Sequence, residues 1–356
     1  MYTLIELSNF RCFEKFSMEL KPITLVAGNN NTGKTSILDS IFLFQDYANP
    51  DVFLKLMGIR GMLQNDTSAR TVWEPLFHNM NTKEPIELRF NNEFSLRLQK
   101  NNEYALTNNA SGIFGGKIDF SSANYALLCN YERGSRRFSG NYLISNEKLN
   151  HNMILHGNDN SPIQPNDEFI QYLGPHITLN DITVADWFGQ IELSQNKIDK
   201  NKLINILAIL DEHIVDITTI ATNRLVQLYF TNRQNIKLPI YTMGDGIRKL
   251  LHIALVLLTK PGCILLLDEV ENGLHYSLYT KFWEMISTLA IQEKCQIIAT
   301  THSYDCISGA VKGIKAANLE DNFAYARLDK VDNSIVPKIF TCDMLERALG
   351  SDWELR

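Results

Sequence analysis

No apolar run in this chain approaches the roughly 18 residues that a membrane-crossing helix needs. Its opening, MYTLIELSNFRCF, also lacks the basic, apolar and small-residue zones of a secretory signal. The six cysteines, Cys12, Cys129, Cys263, Cys295, Cys306 and Cys342, include no C-x-x-C pair. Several of them sit in apolar runs, where a reduced thiol packs as a small hydrophobe. A cytoplasmic, reducing location without membrane contact is the expectation. Excess positive charge is missing too. With a net charge of −6, binding to nucleic acid would need a local basic patch. Internal repeats and low-complexity tails are absent. What is present is 356 residues, 45% of them hydrophobic, enough for one large domain or two medium ones around a substantial core.

Three textures follow one another along the chain. Residues 1–48 read as strand YTLIEL, loop, strand ITLVA, glycine loop and a helix with Ile37, Ile41, Phe42 and Phe44 on it. Residues 49–236 turn to short polar segments with alternating runs such as PIELRFNNEFSLRLQ, the pattern of antiparallel hairpins. They end in a helical stretch over 196–214 and return strands near 224–230 and 237–242. Residues 237–356 alternate helix 247–259, strand 263–267, a helix from about 275, strand 295–300 and a helix from 303, then a hairpin around VDNS and a short helix DMLERAL. Continuous apolar strands between helices demand a parallel sheet covered on both faces.

GNNNTGKTS, residues 28–36, fits the G-x-x-x-x-G-K-[ST] phosphate loop, with an apolar strand before it and a helix after it. Gly28 and Gly33 let the backbone N–H groups of Asn29, Asn30, Asn31 and Thr32 curl around an anion. Lys34 brings a point charge to the β- and γ-phosphates, the Thr35 hydroxyl can ligate Mg²⁺, and Ser36 closes the nucleotide-binding run. In CILLLDEVENGLH, Asp268 and Glu269 end an apolar strand, at the edge where open α/β sheets bind ligands. Asp268 can join a Mg²⁺ shell, and Glu269 can orient or deprotonate an attacking water. Strand IIATTHS ends in His302, whose imidazole beside a γ-phosphate can donate to phosphoryl oxygens. Between these lies TMGDGIRKLL, with Gly244 and Gly246 around Asp245. Alone it is an ordinary glycine turn.

The order of phosphate loop, glycine loop, aspartate–glutamate strand and strand-end histidine resembles the ABC-type ATPase heads of the SMC, RecF and OLD-like families. IELSNFRCF is similar to their N-terminal L-x-N-F-R strand and turn. The resemblance covers roughly residues 1–45 and 237–310, and it extends to the compact bacterial AAA-family ATPases of phage-defence operons. It implies an α/β head with a parallel core sheet, an antiparallel β subdomain and an inserted mixed lobe. It also implies ATP and Mg²⁺ as cofactors, Asn9 and Arg11 near the base or α-phosphate, and Lys34, Glu269 and His302 in catalysis. Met243, Gly244, Asp245 and Gly246 would meet the γ-phosphate held by a second copy. Here Met243 replaces the usual serine, so a hydroxyl contact is lost unless Thr242 supplies one, and Asp245 needs Arg248 or Lys249 beside it. The glutamine of the lobe-connecting loop is either Gln171 or Gln190.

The resemblance implies an ATP-joined homodimer or higher homo-oligomer that switches a separate effector, a nuclease or toxin, in defence against phage. A RecF-like repair ATPase that clamps DNA is the second reading, for which Arg133, Arg136 and Arg137 form the one obvious basic cluster. A third is an ATP-locked scaffold with negligible turnover. The stretch from Lys34 to Asp268 is too short for a long coiled coil, and about 50 residues after His302 leave no room for a nuclease domain.

Overall fold

The computed structural model describes residues 1–49, 51–61, 72–101, 123–134, 136–145, 153–157, 169–174, 181–193, 197–222 and 225–350. The first third of the chain holds β1 (Leu4–Phe10), β2 (Phe13–Glu19), β3 (Ile23–Gly28), α1 (Lys34–Gln45), α2 (Val52–Ile59), β4 (Ile86–Phe90) and β5 (Phe94–Asn101). The middle holds β6 (Ala123–Arg133), β7 (Arg136–Ser145), β8 (Met153–Gly157), β9 (Ile170–Leu173), α3 (Asp181–Leu193), α4 (Lys197–Leu207), β10 (Ile214–Thr222), β11 (Leu225–Asn232) and β12 (Lys237–Pro239). The last third runs α5 (Asp245–Thr259), β13 (Ile264–Leu267), α6 (Tyr279–Gln292), β14 (Gln296–Thr300), α7 (Tyr304–Ala316), β15 (Phe323–Val331), β16 (Ser334–Phe340) and α8 (Cys342–Leu349).

The central sheet has the order β16-β15-β3-β14-β13-β9. Five of its strands are parallel, and β16 runs antiparallel to β15. The expected parallel sheet is therefore mixed at one edge. Val331 pairs with Ser334, so only Asp332 and Asn333 join the two strands, and a two-residue link can only reverse the chain. Side chains alternate across this sheet with the period of two that a strand imposes. Leu25, Leu265, Leu267 and Ile297 pack with α5, α6 and α7, while Val26, Ile264, Leu266 and Ile298 pack with α1 and the second sheet. Burial on both faces explains why these strands read as unbroken apolar runs.

The stretch 49–236 has three destinations. Strands β4 to β8 extend the N-terminal hairpin into an antiparallel sheet of order β2-β1-β4-β5-β6-β7-β8, because β1 alone would leave an unpaired edge. Aromatic contacts fix this sheet onto α1 and the turn after it: Phe44 lies 4.4 Å from Phe90, and Tyr47 stacks on Tyr131 at 3.8 Å. Next, β9 joins the core sheet beside β13. Finally α3, α4 and the small sheet β10-β11-β12 share a core with α5. The helix read over 196–214 stops at Leu207, where the backbone tightens into turn bonds from Ile209 to Ile206 and from Leu210 to Leu207.

Candidate functional site

Strands β3, β14 and β13 lie side by side and parallel, so their C-terminal ends deliver three loops to one edge. From β3 comes the phosphate loop. Its Gly33 has φ +88°, and a Cβ there would sit 2.5 Å from both the Cys12 Sγ and the Phe13 ring, so the β1–β2 turn presses directly on the loop. Asn31, at φ +63°, also takes a left-handed conformation that asparagine tolerates. Helix α1 starts with no side-chain cap and no acidic residue in its first turn. Its first N–H groups are thus available to an anion. Asn29, Asn30 and Asn31 are exposed around this concavity, and Thr32 is turned inward to the Asn29 carbonyl at 2.8 Å. Lys34 Nζ folds back onto the carbonyls of Gly28 and Asn29, at 2.7 and 2.9 Å. Burial pulls its ammonium below the ordinary lysine range, opposed by the charges of Asp268, Glu269 and Glu271.

From β13 come the two acids. Thr35 Oγ1 donates to Asp268 Oδ1 at 3.2 Å, which brings together the two residues expected to share a cation. The Asp268 carboxylate also receives the Thr300 hydroxyl and, at 3.4 Å on its other oxygen, the Tyr172 hydroxyl from β9. Burial raises the Asp268 carboxyl, and the hydrogen bonds from Thr300 and Thr35 oppose that shift. Glu269 has φ +47°, and its N–H donates to Thr300 Oγ1 at 2.9 Å. Its carboxylate is held by Asn272 Nδ2 at 2.7 Å. From β14 comes His302, half-exposed, whose Nδ1 lies 3.1 Å from Glu271 Oε1.

The N-terminal turn behaves differently from the expectation for Asn9. Its amide donates to the carbonyls of Asn81 and Glu84, at 3.0 and 2.8 Å, so its donors are spent on holding that loop to β1. Arg11 is mostly buried, with Nη2 2.9 Å from Asp39 Oδ2 on α1. Asp39 is fully buried and also takes Arg60 from the end of α2. Cys12 packs against Ser36 at 3.8 Å. None of Asp39, Arg60, Tyr172, Thr300, Lys249, Glu271 and Asn272 emerged as a site residue from sequence. Of these, Glu271 and Asn272 stood in ENGLH directly after the acids, Thr300 stood in IIATTHS, and Lys249 was expected only as a possible partner of Asp245.

The loop before α5 is built for close approach. A Cβ on Gly246 would lie 2.4 Å from the Gly273 carbonyl, so this glycine brings the start of α5 against the ENGLH loop of the same chain. Gly244 caps α5 without a side chain and has open space around it. Met243 packs on the core. Thr242 gives its hydroxyl hydrogen to the Pro239 carbonyl at 2.7 Å, so it does not replace the missing serine as a donor. Exposed Asp245 pairs with Arg248 at 3.4 Å, not with Lys249. Lys249 instead donates to the carbonyls of Glu269, Val270 and Asn272. Gln171 donates to the Tyr172 carbonyl within β9, and Gln190 is exposed on α3, where it accepts from Lys260.

An edge that combines a phosphate loop, a hydroxyl–carboxylate pair and a second acid is that of a nucleoside triphosphatase. A family model described as an AAA ATPase domain matches residues 1–180, half of the chain. The chain belongs to the AAA ATPase domain family. A second model, described as an AAA domain, putative AbiEii toxin, Type IV TA system, matches residues 130–307. A Helicobacter pylori protein described as an ATP/GTP phosphatase is 27% identical over 113 residues, 31% of this chain and 30% of that protein. The matched part of this AAA ATPase thus spans less than a third of that curated relative's length. Among solved structures, an SMC head bound to the C-winged helix domain of ScpA is similar over 98% of this chain and 99% of its own, at 15% identity and a TM-score of 0.52. The likeness is one of fold: an ABC-type P-loop ATPase head. Among the described residues, no helix is long and apolar enough to cross a membrane.

Proposed function

We propose that this AAA ATPase hydrolyses ATP with Mg²⁺ at a site completed by a second copy of itself, and uses the cycle to switch a separate effector in defence against phage. The observation that carries the reading is the Thr35–Asp268 contact beside Lys34, with Glu269 anchored one residue further on. The side chains that meet there, Thr35 and Asp268, offer oxygen donors, and these suit Mg²⁺, which takes one or two protein oxygens and completes its shell with phosphates and water. When bound there, Mg²⁺ would neutralise charge on the β- and γ-phosphates. The loop N–H groups and Lys34 bind the phosphates. Glu269 holds the attacking water and takes its proton, and His302 contacts the γ-phosphate. The uncapped start of α5 at Gly244 offers its N–H groups to the phosphate of the other copy.

The effector reading is supported by the AbiEii-type toxin–antitoxin family that residues 130–307 match. It is also supported by the similar SMC head, which carries a winged-helix domain of another protein. At the hairpin around Gly134, Arg137 pairs with Glu132 at 3.3 Å on the exposed surface and Arg133 lies over the Phe94 ring, while the Arg136 side chain lies outside the described residues. In Glu269→Gln, ATP binding is expected to persist while turnover falls at least about 100-fold. An unchanged rate removes Glu269 from its role. The same variant, tagged and purified from source cells in ATP and Mg²⁺, is expected to hold a stoichiometric protein partner that is lost when Lys34 is also changed to Ala. Recovery of DNA without such a partner would favour the repair-type clamp instead.

A further inference from the structure

We infer that Glu271 is the positioning residue of the switch histidine, fixing His302 as a γ-phosphate donor and tying it, through Lys249, to the helix offered to the second copy. The inference rests on the nucleotide site proposed above. Glu271 is 8% exposed, and its Oε1 accepts the His302 backbone N–H at 3.0 Å while lying 3.1 Å from the ring Nδ1. An ionised carboxylate can only accept, so Nδ1 carries the hydrogen of that contact. The other ring nitrogen, Nε2, then has a lone pair in the neutral ring and an N–H only in the imidazolium. A neutral ring held this way would turn a lone pair toward a phosphoryl oxygen and repel it. Donation to the phosphate therefore requires the doubly protonated ring, and the Glu271 carboxylate supplies the counter-charge for it. A carboxylate that sets a histidine's tautomer and stabilises its cation is a recurrent device in hydrolytic sites.

A buried carboxylate needs its own compensation. Lys249, in the first turns of α5, contributes charge toward it, while Glu271 Oε2 has no hydrogen-bond partner among the described residues. The Lys249 ammonium donates at 3.0, 3.0 and 3.2 Å to the carbonyls of Glu269, Val270 and Asn272, wrapping the loop that carries Glu271. Burial pulls the Lys249 ammonium down to about 8, and Glu271 is the largest of the charges that oppose this shift. The same helix begins at Gly244 and touches Gly273 through Gly246. One rigid unit thus joins the N-terminus of α5, the Glu269 loop and the switch histidine. A phosphate from the second copy that engages α5 acts on both catalytic groups of this copy.

The test is a double-mutant cycle on the full chain, with His302→Ala as reference. Glu271→Gln keeps an acceptor for the ring and the backbone N–H but removes the charge, and Glu271→Leu removes both. Both are expected to lower kcat at least about tenfold with the dissociation constant for ATP unchanged, and neither is expected to lower it further in the His302→Ala background. In nucleotide-free protein, ¹⁵N resonances of the His302 ring are expected to show Nδ1 protonated, and to lose that preference in Glu271→Leu. An equal loss of kcat with and without His302, or ring resonances indifferent to Glu271→Leu, overturns the inference. If the unaltered protein hydrolyses no ATP, or His302→Ala has full activity, the proposed site fails. The ring resonances still decide whether Glu271 sets the histidine, and Glu271→Gln guards against a leucine variant that does not fold.

Discussion

His252 lies in the middle of α5, 3% exposed. Burial, aided by the charge of Arg248, pulls its imidazole from the ordinary value of 6.5 to about 4. Between those values the unfolded chain binds a proton that the folded chain refuses, so stability is lost as the pH falls through that window and is unaffected by this group above it. The loss should approach roughly 3 kcal/mol at the acid end. Urea unfolding from pH 7 to 4.5 is expected to show it, and a His252→Leu variant is expected to flatten the curve. Parallel curves would show that His252 is not the cause. The catalytic candidates Lys34, Thr35, Asp268, Glu269 and His302 were legible at this scale because each stands in a motif whose meaning is set by its chain neighbours. Lys249 and Glu271 were not, because their partners are backbone carbonyls and a ring nitrogen, and only folding brings these into reach. For Asn9 the motif pointed one way and the local geometry another, since its amide serves the loop at Asn81 and Glu84.

Among elements, the start of α5 and the ENGLH loop form the tightest junction near the site. A methyl group on Gly246 would meet the Gly273 carbonyl at 2.4 Å and Leu274 Cδ2 at 3.3 Å, and a carbonyl cannot rotate away as a flexible side chain does. Gly246→Ala is expected to cost about 1–3 kcal/mol of unfolding free energy. It should also depress turnover by displacing the loop that holds Glu269, while ATP binding at the phosphate loop survives. Chemical unfolding and nucleotide titration on the same variant check both parts. Gly244→Ala, with open space around it, is the control and is expected to leave stability within about 0.5 kcal/mol. From sequence, the two glycines read as an ordinary turn and, through the resemblance, as a phosphate contact. The structure adds that Gly246 is consumed by packing within its own chain, which leaves Gly244 and the uncapped first turn to face outward.

At the scale of the whole molecule, the half-exposed His302 and the open helix start at Gly244 lie on surfaces that one copy does not cover. Glu269→Gln is expected to shift from monomer to dimer on addition of ATP and Mg²⁺, as read by light scattering. A Lys34→Ala change in the same chain is expected to abolish the shift. A mass that ignores nucleotide would argue against a shared site. The sequence by itself determined the α/β core and the position of the phosphate loop, the two acids and the histidine at strand ends. Strand burial and phosphate binding are both written in local patterns of apolar runs, glycines and charges. Only the tertiary structure decided that β4 to β8 complete the N-terminal hairpin's sheet, that β9 enters the core beside β13, and that Glu271 and Lys249 join three loops into one unit. Those outcomes depend on which edges and buried charges meet across the fold, and no short stretch of chain encodes a partner tens of residues away.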